Sequence, residues 1–271
     1  MNDHFTQRTR HIRREIMAMV RHGRRGHIAS AFSVVEMLVV LYDHIMRFRP
    51  QEPKWPDRDR FILSKGHGCL AQYALLADKG FFPRALYEGF CKPDGILGGH
   101  PEEKVPGVEA PTGSLGHGLS IGVGFALNAR IDKADYRTYI VVGDGECGEG
   151  SVWEAAMGAA KHKLDNLTVL IDYNKLMSYG PTSEVWDLEP FADKWRAFGF
   201  ATHEVDMITQ PLALKDLLSA PPGGKPTAVI CHTIKGYGVP FMEHNLDWHH
   251  KSRISDEDID RVLTFLEDGH A

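Results

Sequence analysis

Apolar residues recur at helical spacing near the start of the chain. Phe5, Ile12, Ile16, Met19 and Val20 share one broad face of residues 5–22, whose other positions are largely charged. That pattern predicts an amphipathic helix. Residues 31–46 bring Val34, Val35, Leu38, Val39, Leu41, Tyr42 and Ile45 with few polar breaks and predict a more buried helix. Further helical patterns cover residues 70–79, 84–90, 116–130, 151–163, 190–198, 211–219 and 255–267. Short apolar runs at 61–63, 139–142, 167–171 and 227–231 read as strands. The polar stretch 49–58 and the Gly- and Pro-rich stretch 95–113 read as loops. Strands alternating with helices predict an α/β fold, a parallel sheet with helices on both faces. No internal repeat or low-complexity segment interrupts it.

Composition narrows the function classes. A chain of 271 residues can bury a large core, and residues 1–271 read as a single domain ending in a helix. The formal net charge of −5 argues against a general nucleic-acid binder, which needs a basic face. No apolar run is long enough for a signal peptide or membrane span. Cys69, Cys91, Cys147 and Cys231 are far apart and form no CxxC pair, so neither a zinc site nor a disulfide framework is expected. Reduced cysteines in a cytoplasmic protein are the economical reading.

Chemistry concentrates at strand ends. The run 139–142 stops at Gly143-Asp144-Gly145, and the run 167–171 ends just before Asn174, thirty residues after Asp144. Gly-Asp-Gly alone also fits an ordinary strand–turn–helix with a surface aspartate. With Asn174 on the next strand, the pair suits a diphosphate held through a divalent metal. Glycines let backbone N–H groups approach phosphate, and Asp144 and Asn174 offer hard oxygen ligands to Mg²⁺ or Ca²⁺. Ser151 near the start of the next helix puts that helix's positive end close by. Ser64-Lys65-Gly66-His67 and Thr233-Ile234-Lys235-Gly236 also follow strands. Ligands of parallel sheets bind beyond such ends.

Ordered motifs then carry a resemblance. Gly26-His27-Ile28-Ala29-Ser30, Leu63-Ser64-Lys65-Gly66-His67-Gly68, Gly99-His100-Pro101-Glu102 and Thr112-Gly113-Ser114-Leu115-Gly116 come first. They are followed by Gly143-Asp144-Gly145-Glu146-Cys147-Gly148-Glu149-Gly150-Ser151-Val152-Trp153-Glu154-Ala155, Lys163-Leu164-Asp165-Asn166-Leu167, Asn174-Lys175-Leu176, Thr233-Ile234-Lys235-Gly236 and Trp248-His249. In this order the chain resembles the N-terminal, diphosphate-binding half of a transketolase along nearly its whole length. The resemblance implies a thiamine diphosphate-binding (PP-domain) fold, with thiamine diphosphate and Mg²⁺ or Ca²⁺ as cofactors. It implies that Asp144, Asn174 and the Leu176 carbonyl coordinate the metal. Gly145 N–H, Ser30, His67 and His249 would contact the diphosphate region, with Lys235 nearby. Gly113 and Leu115 would press against the thiamine. His27, His67, His100 and His249 would form the catalytic histidine set. Glu149 resembles a family acid in a carboxylate network between paired active sites, and equally suits a helix N-terminus. His4, His11, His22, His44 and His270 are assigned structural roles.

The resemblance also implies what lies elsewhere. Transketolases carry a second, pyrimidine-binding domain, which supplies the glutamate at the pyrimidine ring and the arginines gripping the substrate phosphate. About thirty-five residues follow Lys235, too few for such a domain. The expectation is one subunit of a split transketolase in an α2β2 heterotetramer with a pyrimidine-domain (C-terminal transketolase) subunit. It would move a two-carbon ketol unit between sugars, with sugar phosphates as the commonest substrates. Three positions depart from many members: His117, Ser178, and the basic pair Arg24-Arg25 ahead of Gly26-His27. The alternatives are the α subunit of a thiamine-dependent 2-oxo acid dehydrogenase, which has less use for the histidine set, and a non-catalytic scaffolding paralogue.

Overall fold

The computed structural model describes residues 3–267. Five strands, all parallel, form one sheet in the order β1-β2-β3-β5-β4. They are β1 (Arg60–Leu63), β2 (Thr138–Gly143), β3 (Leu167–Tyr173), β4 (Ala201–Asp206) and β5 (Thr227–His232). Side chains of a strand alternate between faces, and two separate cores follow. Tyr139, Val141, Leu170, Val229 and Cys231 point to one side. Ile140, Val142, Val169, Ile171, Ala228 and Ile230 point to the other. This double burial explains why β2, β3 and β5 read as unbroken apolar runs.

The first core is covered by α1 (Asp3–Gly23), α2 (Ile28–Phe32), α3 (Val35–Val40) and α4 (Cys69–Asp78). The second lies under α5 (His117–Ile131), α6 (Gly150–Lys161) and α8 (Phe191–Ala197), while the single turn α7 (Thr182–Val185) stands outside it. Helices α9 (Leu212–Ser219) and α10 (Asp256–Glu267) return to the first side, where α10 packs on α1. In α5, Gly118 and Gly122 bring the helix onto the sheet: a side chain at Gly118 would collide with Ser64, and one at Gly122 would lie 2.6 Å from the Ile140 side chain.

Three expectations are corrected. The helix expected over 31–46 is broken at Ser33-Val34 and ends in a wider π turn, Leu41–Ile45. The break hands the Ser33 hydroxyl to Asp172. Residues 84–89 form a 3₁₀ rather than an α-helix. Strand β4 was not expected: it lies at the sheet edge, and Thr202, His203 and Glu204 interrupt any apolar run.

Candidate functional site

Parallel strands place their C-terminal ends on one edge, so the segments after β1, β2, β3 and β5 meet there. A cavity of about 170 Å³ opens between them, walled by Asp144, Gly145, Asn174, Leu176, Lys235 and His249. His67, Leu115, Glu149, Ser178 and Lys65 also line it. Asp144 leaves β2 as the cap of a 3₁₀ turn, accepting from the N–H of Gly145 at 2.7 Å and of Lys175 at 2.6 Å. Asn174 follows β3. Its Oδ1 accepts from Leu176 N–H at 3.1 Å, and its Nδ2 donates to Asp172 Oδ2 at 2.9 Å. The amide is therefore locked with its oxygen on the Leu176 side.

Beneath this lies a network not anticipated from the motifs. Asp172 is fully buried and pairs with Lys65, with the hydroxyls of Ser33 and Thr233 donating to its other oxygen. Burial would raise the Asp172 pKa, but Lys65 and these donors hold it below the ordinary carboxylate range. Glu146, inside the Gly-Asp-Gly-Glu run, clamps three elements: it accepts from Ser64 Oγ, Gly116 N–H at 2.8 Å and Gly143 N–H at 3.0 Å. The signal for both acids was their place in or beside an apolar strand, where a carboxylate survives only with partners.

The site's charge state suits a cation and an anion together. Burial, with Asp172 close by, pushes the Asp144 pKa up to about 6. Burial and the Lys65 ammonium bring Lys235 down to about 8, and its Nζ donates to the Leu176 carbonyl and to His249 Nδ1 at 3.0 Å. That bond leaves the His249 proton on Nε2, which donates to Ser178 Oγ at 3.0 Å. A lysine cation thus sits against one of the three expected metal ligands, the Leu176 carbonyl. One carboxylate, one amide oxygen and one carbonyl form a hard donor set suited to Mg²⁺ or Ca²⁺. The Ser30 hydroxyl is buried without a hydrogen-bond partner, and its carbonyl accepts from Lys65 Nζ at 3.2 Å. These features fit a diphosphate held through a metal.

Beside this cavity stands a group of imidazoles. The His27 ring lies 5.2 Å from His67, 6.4 Å from His100, 6.4 Å from His249 and 4.5 Å from His250. His250 was not singled out in the sequence. Burial and the neighbouring His250 push His27 down to about 3; burial and Lys235 push His249 down to about 4. Burial with Lys65 lowers His67 as well. These three rings are neutral at pH 7 and able to accept protons. Tyr73 Oη donates to the His100 carbonyl at 2.7 Å, fixing that loop.

Not every expected residue reaches this cavity. Gly113 lies against the His100 ring, where a Cβ would stand 3.5 Å from Cγ, and lines a neighbouring cleft. Ser30 is behind the wall rather than on it. Gly145 N–H is engaged by Asp144. Glu149 caps α6 without a side-chain capping bond and lines the cavity. His4, His11, His22 and His44 lie away from the histidine group, and His11 contacts Asp78. His270 is outside the described residues. Among the described residues no helix is long and apolar enough to cross a membrane.

A parallel α/β sheet with a mixed oxygen donor set, a lysine and neutral imidazoles at its carboxyl edge is the framework of a diphosphate-binding class of enzyme. Residues 6–266 match the family described as "Transketolase, thiamine diphosphate binding domain", and the chain belongs to that family. It is 45% identical over 239 residues to one subunit of the apulose-4-phosphate transketolase of Phocaeicola vulgatus, covering 88% of this chain and 85% of that protein. The protein of the same name from Actinobacillus succinogenes is 40% identical, with 98% and 97% covered. The transketolase structure from Leishmania mexicana superposes with a TM-score of 0.89 at 31% identity. That match covers 97% of this chain but 41% of the solved one, so the chain spans less than half of a one-chain transketolase.

Proposed function

We propose that this chain is the diphosphate-binding subunit of a two-subunit, cytoplasmic transketolase. As one PP-type domain it would pair with a pyrimidine-domain subunit in an α2β2 assembly. The assembly would transfer a two-carbon ketol unit from a ketose donor to an aldose acceptor, using thiamine diphosphate and Mg²⁺. The observation that carries this reading is the joining of the Asp144–Asn174–Leu176 donor set to the group of neutral imidazoles around His27. Relatives named as single subunits of a transketolase match it over most of their length, which supports a split enzyme whose ketose donor is a sugar phosphate.

Bound thiamine diphosphate supplies the electron sink that ketol transfer needs. Asp144, Asn174 and the Leu176 carbonyl would hold the metal, displacing the Lys235 ammonium from that carbonyl toward the phosphates. Lys235 and Ser178, which line the same cavity, would meet diphosphate oxygens, with His249 orienting Ser178. Leu115, 37% exposed on the cavity wall, offers an apolar surface to the thiamine, and Gly113 leaves room beside His100. His27, His67 and His100 would take and return protons at the substrate hydroxyls. A 2-oxo acid substrate, with no hydroxyl chain, would leave these rings without a task.

The test is calorimetric titration of thiamine diphosphate with Mg²⁺ into the chain alone and into a complex with a pyrimidine-domain subunit, followed by a ketol-transfer assay. Tight binding and turnover are expected in the complex only, both lost in Asp144→Ala. Ketol transfer at ordinary rates by the partner-free chain, or no binding in the complex, would overturn the proposal.

A further inference from the structure

The basic pair Arg24-Arg25, ahead of Gly26-His27, is only half explained by the fold. Arg24 pairs with Asp256 at 2.6 Å. Arg25 instead lines a second cavity, of about 560 Å³, that reaches His27, His100 and His250. Lys92 and the Lys104–Glu102 pair (3.0 Å) stand on the same cavity. Among the described residues Arg25 and Lys92 make no salt bridge, so two uncompensated cations face a concave surface beside the histidine group. Such an arrangement focuses a positive field into the opening.

The backbone segments that carry the two exposed cations are fixed by packing. Phe90 sits against both segments: a side chain at Gly23 would collide with its ring, and one at Gly26 would meet its tip at 4.0 Å. Gly26, at φ +139°, is bridged to Lys251 by hydrogen bonds of 3.0 and 3.3 Å. On the other segment Lys92 sits in a tight loop in which Gly95 packs on Gly89. Gly95 N–H donates to the Lys92 carbonyl at 3.0 Å, and Cys91 N–H to Leu97 at 2.8 Å.

We infer that Arg25, with Lys92 beside it, is a subsite for the terminal phosphate of a sugar whose hydroxyls face His27 and His100. The inference rests on the transketolase reading above and puts a phosphate grip on this subunit, in addition to any on the partner. A guanidinium presents two parallel donors to phosphate oxygens, the geometry that distinguishes it from a diffuse positive surface.

The test uses the reconstituted complex and compares kcat/KM for a phosphorylated aldose with that for the same aldose lacking phosphate. In Arg25→Ala the preference for the phosphorylated form falls about tenfold, chiefly through KM. Arg25→Lys recovers part of it, Lys92→Ala moves it the same way by less, and inorganic phosphate inhibits the Arg25→Ala complex more weakly. A preference unchanged in Arg25→Ala, or equal losses on both aldoses, would overturn the subsite and leave the transketolase reading standing. A wild-type complex that transfers no ketol unit at all would remove that reading and the inference with it.

Discussion

Lys65 and Asp172 form an ion pair buried beneath the carboxyl edge of the sheet, with side chains only 2% and 0% exposed. Asp172 in turn receives Asn174 Nδ2, so a charge pair below the cavity sets which way the Asn174 amide faces. The lysine arrives from the end of β1 and the aspartate from within β3, two strands apart in the sheet.

Removing one partner of such a pair leaves an uncompensated buried charge. Lys65→Met is expected to lose about 3–5 kcal/mol of folding stability. Adding Asp172→Asn to it should recover part of the loss, because the remaining amide carries no charge. Urea denaturation of the two variants and the wild type checks this, and a double variant less stable than Lys65→Met alone would contradict it.

Glu146 accepts from three donors, and none of these partners offers it an acceptor in return. Glu146→Gln keeps the shape but points an amide N–H₂ at a site already filled with donors. A loss of about 1–3 kcal/mol is expected by the same denaturation measurement. Burial raises the Glu146 pKa, yet the bonds from Ser64, Gly116 and Gly143 all favour the ionised form.

The metal-free chain should lose stability as the pH falls from 7 toward 4.5. His27 and His249 titrate near 3 and 4 when folded, against an ordinary value of 6.5. Below pH 6.5 the unfolded chain therefore binds more protons at these rings, and the stability present above that pH is lost on acidification. Asp144 acts in the opposite sense: raised from 3.8 to about 6, it gives the folded chain an extra proton between those values. Two histidines outweigh one aspartate, so the melting temperature falls overall. Thermal melts across this range should show a steeper fall in Asp144→Asn, and a melting temperature that rises on acidification would sink the argument.

His27 belongs to the cavity that holds Arg25 and not to the one that holds Asp144. In the complex with a pyrimidine-domain subunit, His27→Ala should therefore leave thiamine diphosphate affinity nearly intact while turnover drops about 10²–10⁴-fold. Parallel calorimetry and ketol-transfer rates separate the two quantities. Equal damage to both would assign His27 to cofactor binding.

Much of this was legible in the order of residues. Strands β2, β3 and β5 are buried on both faces and so appear as uninterrupted apolar runs, and the glycines and polar groups that follow them mark the site edge. Asp144, Asn174, Leu176, Lys235, His67 and His249 converge on one cavity as the spacing and resemblance implied. Strand β4 was hidden because an edge strand needs few apolar residues; its side chains at His203 and Glu204 are exposed and Thr202 is half-buried. The Lys65–Asp172 pair was hidden for another reason. Its members are 107 residues apart, and only the sheet order brings them together. His250 stood unnoticed beside His249, since adjacency in sequence says nothing about which ring turns inward.

The backbone bridge between Gly26 and Lys251 ties the His27 turn to a segment far along the chain. Helix α1 and that turn take part of their outer support from Lys251 and α10: Arg21 and Arg24 pair with Asp260 and Asp256 at 2.6 Å each. The Asp144 and Asn174 turns rest on the sheet instead. The histidine group is therefore held by a clasp between segments distant in sequence, and a change that loosens residues 249–260 would slacken the His27 turn before it reached Asp144 or Asn174.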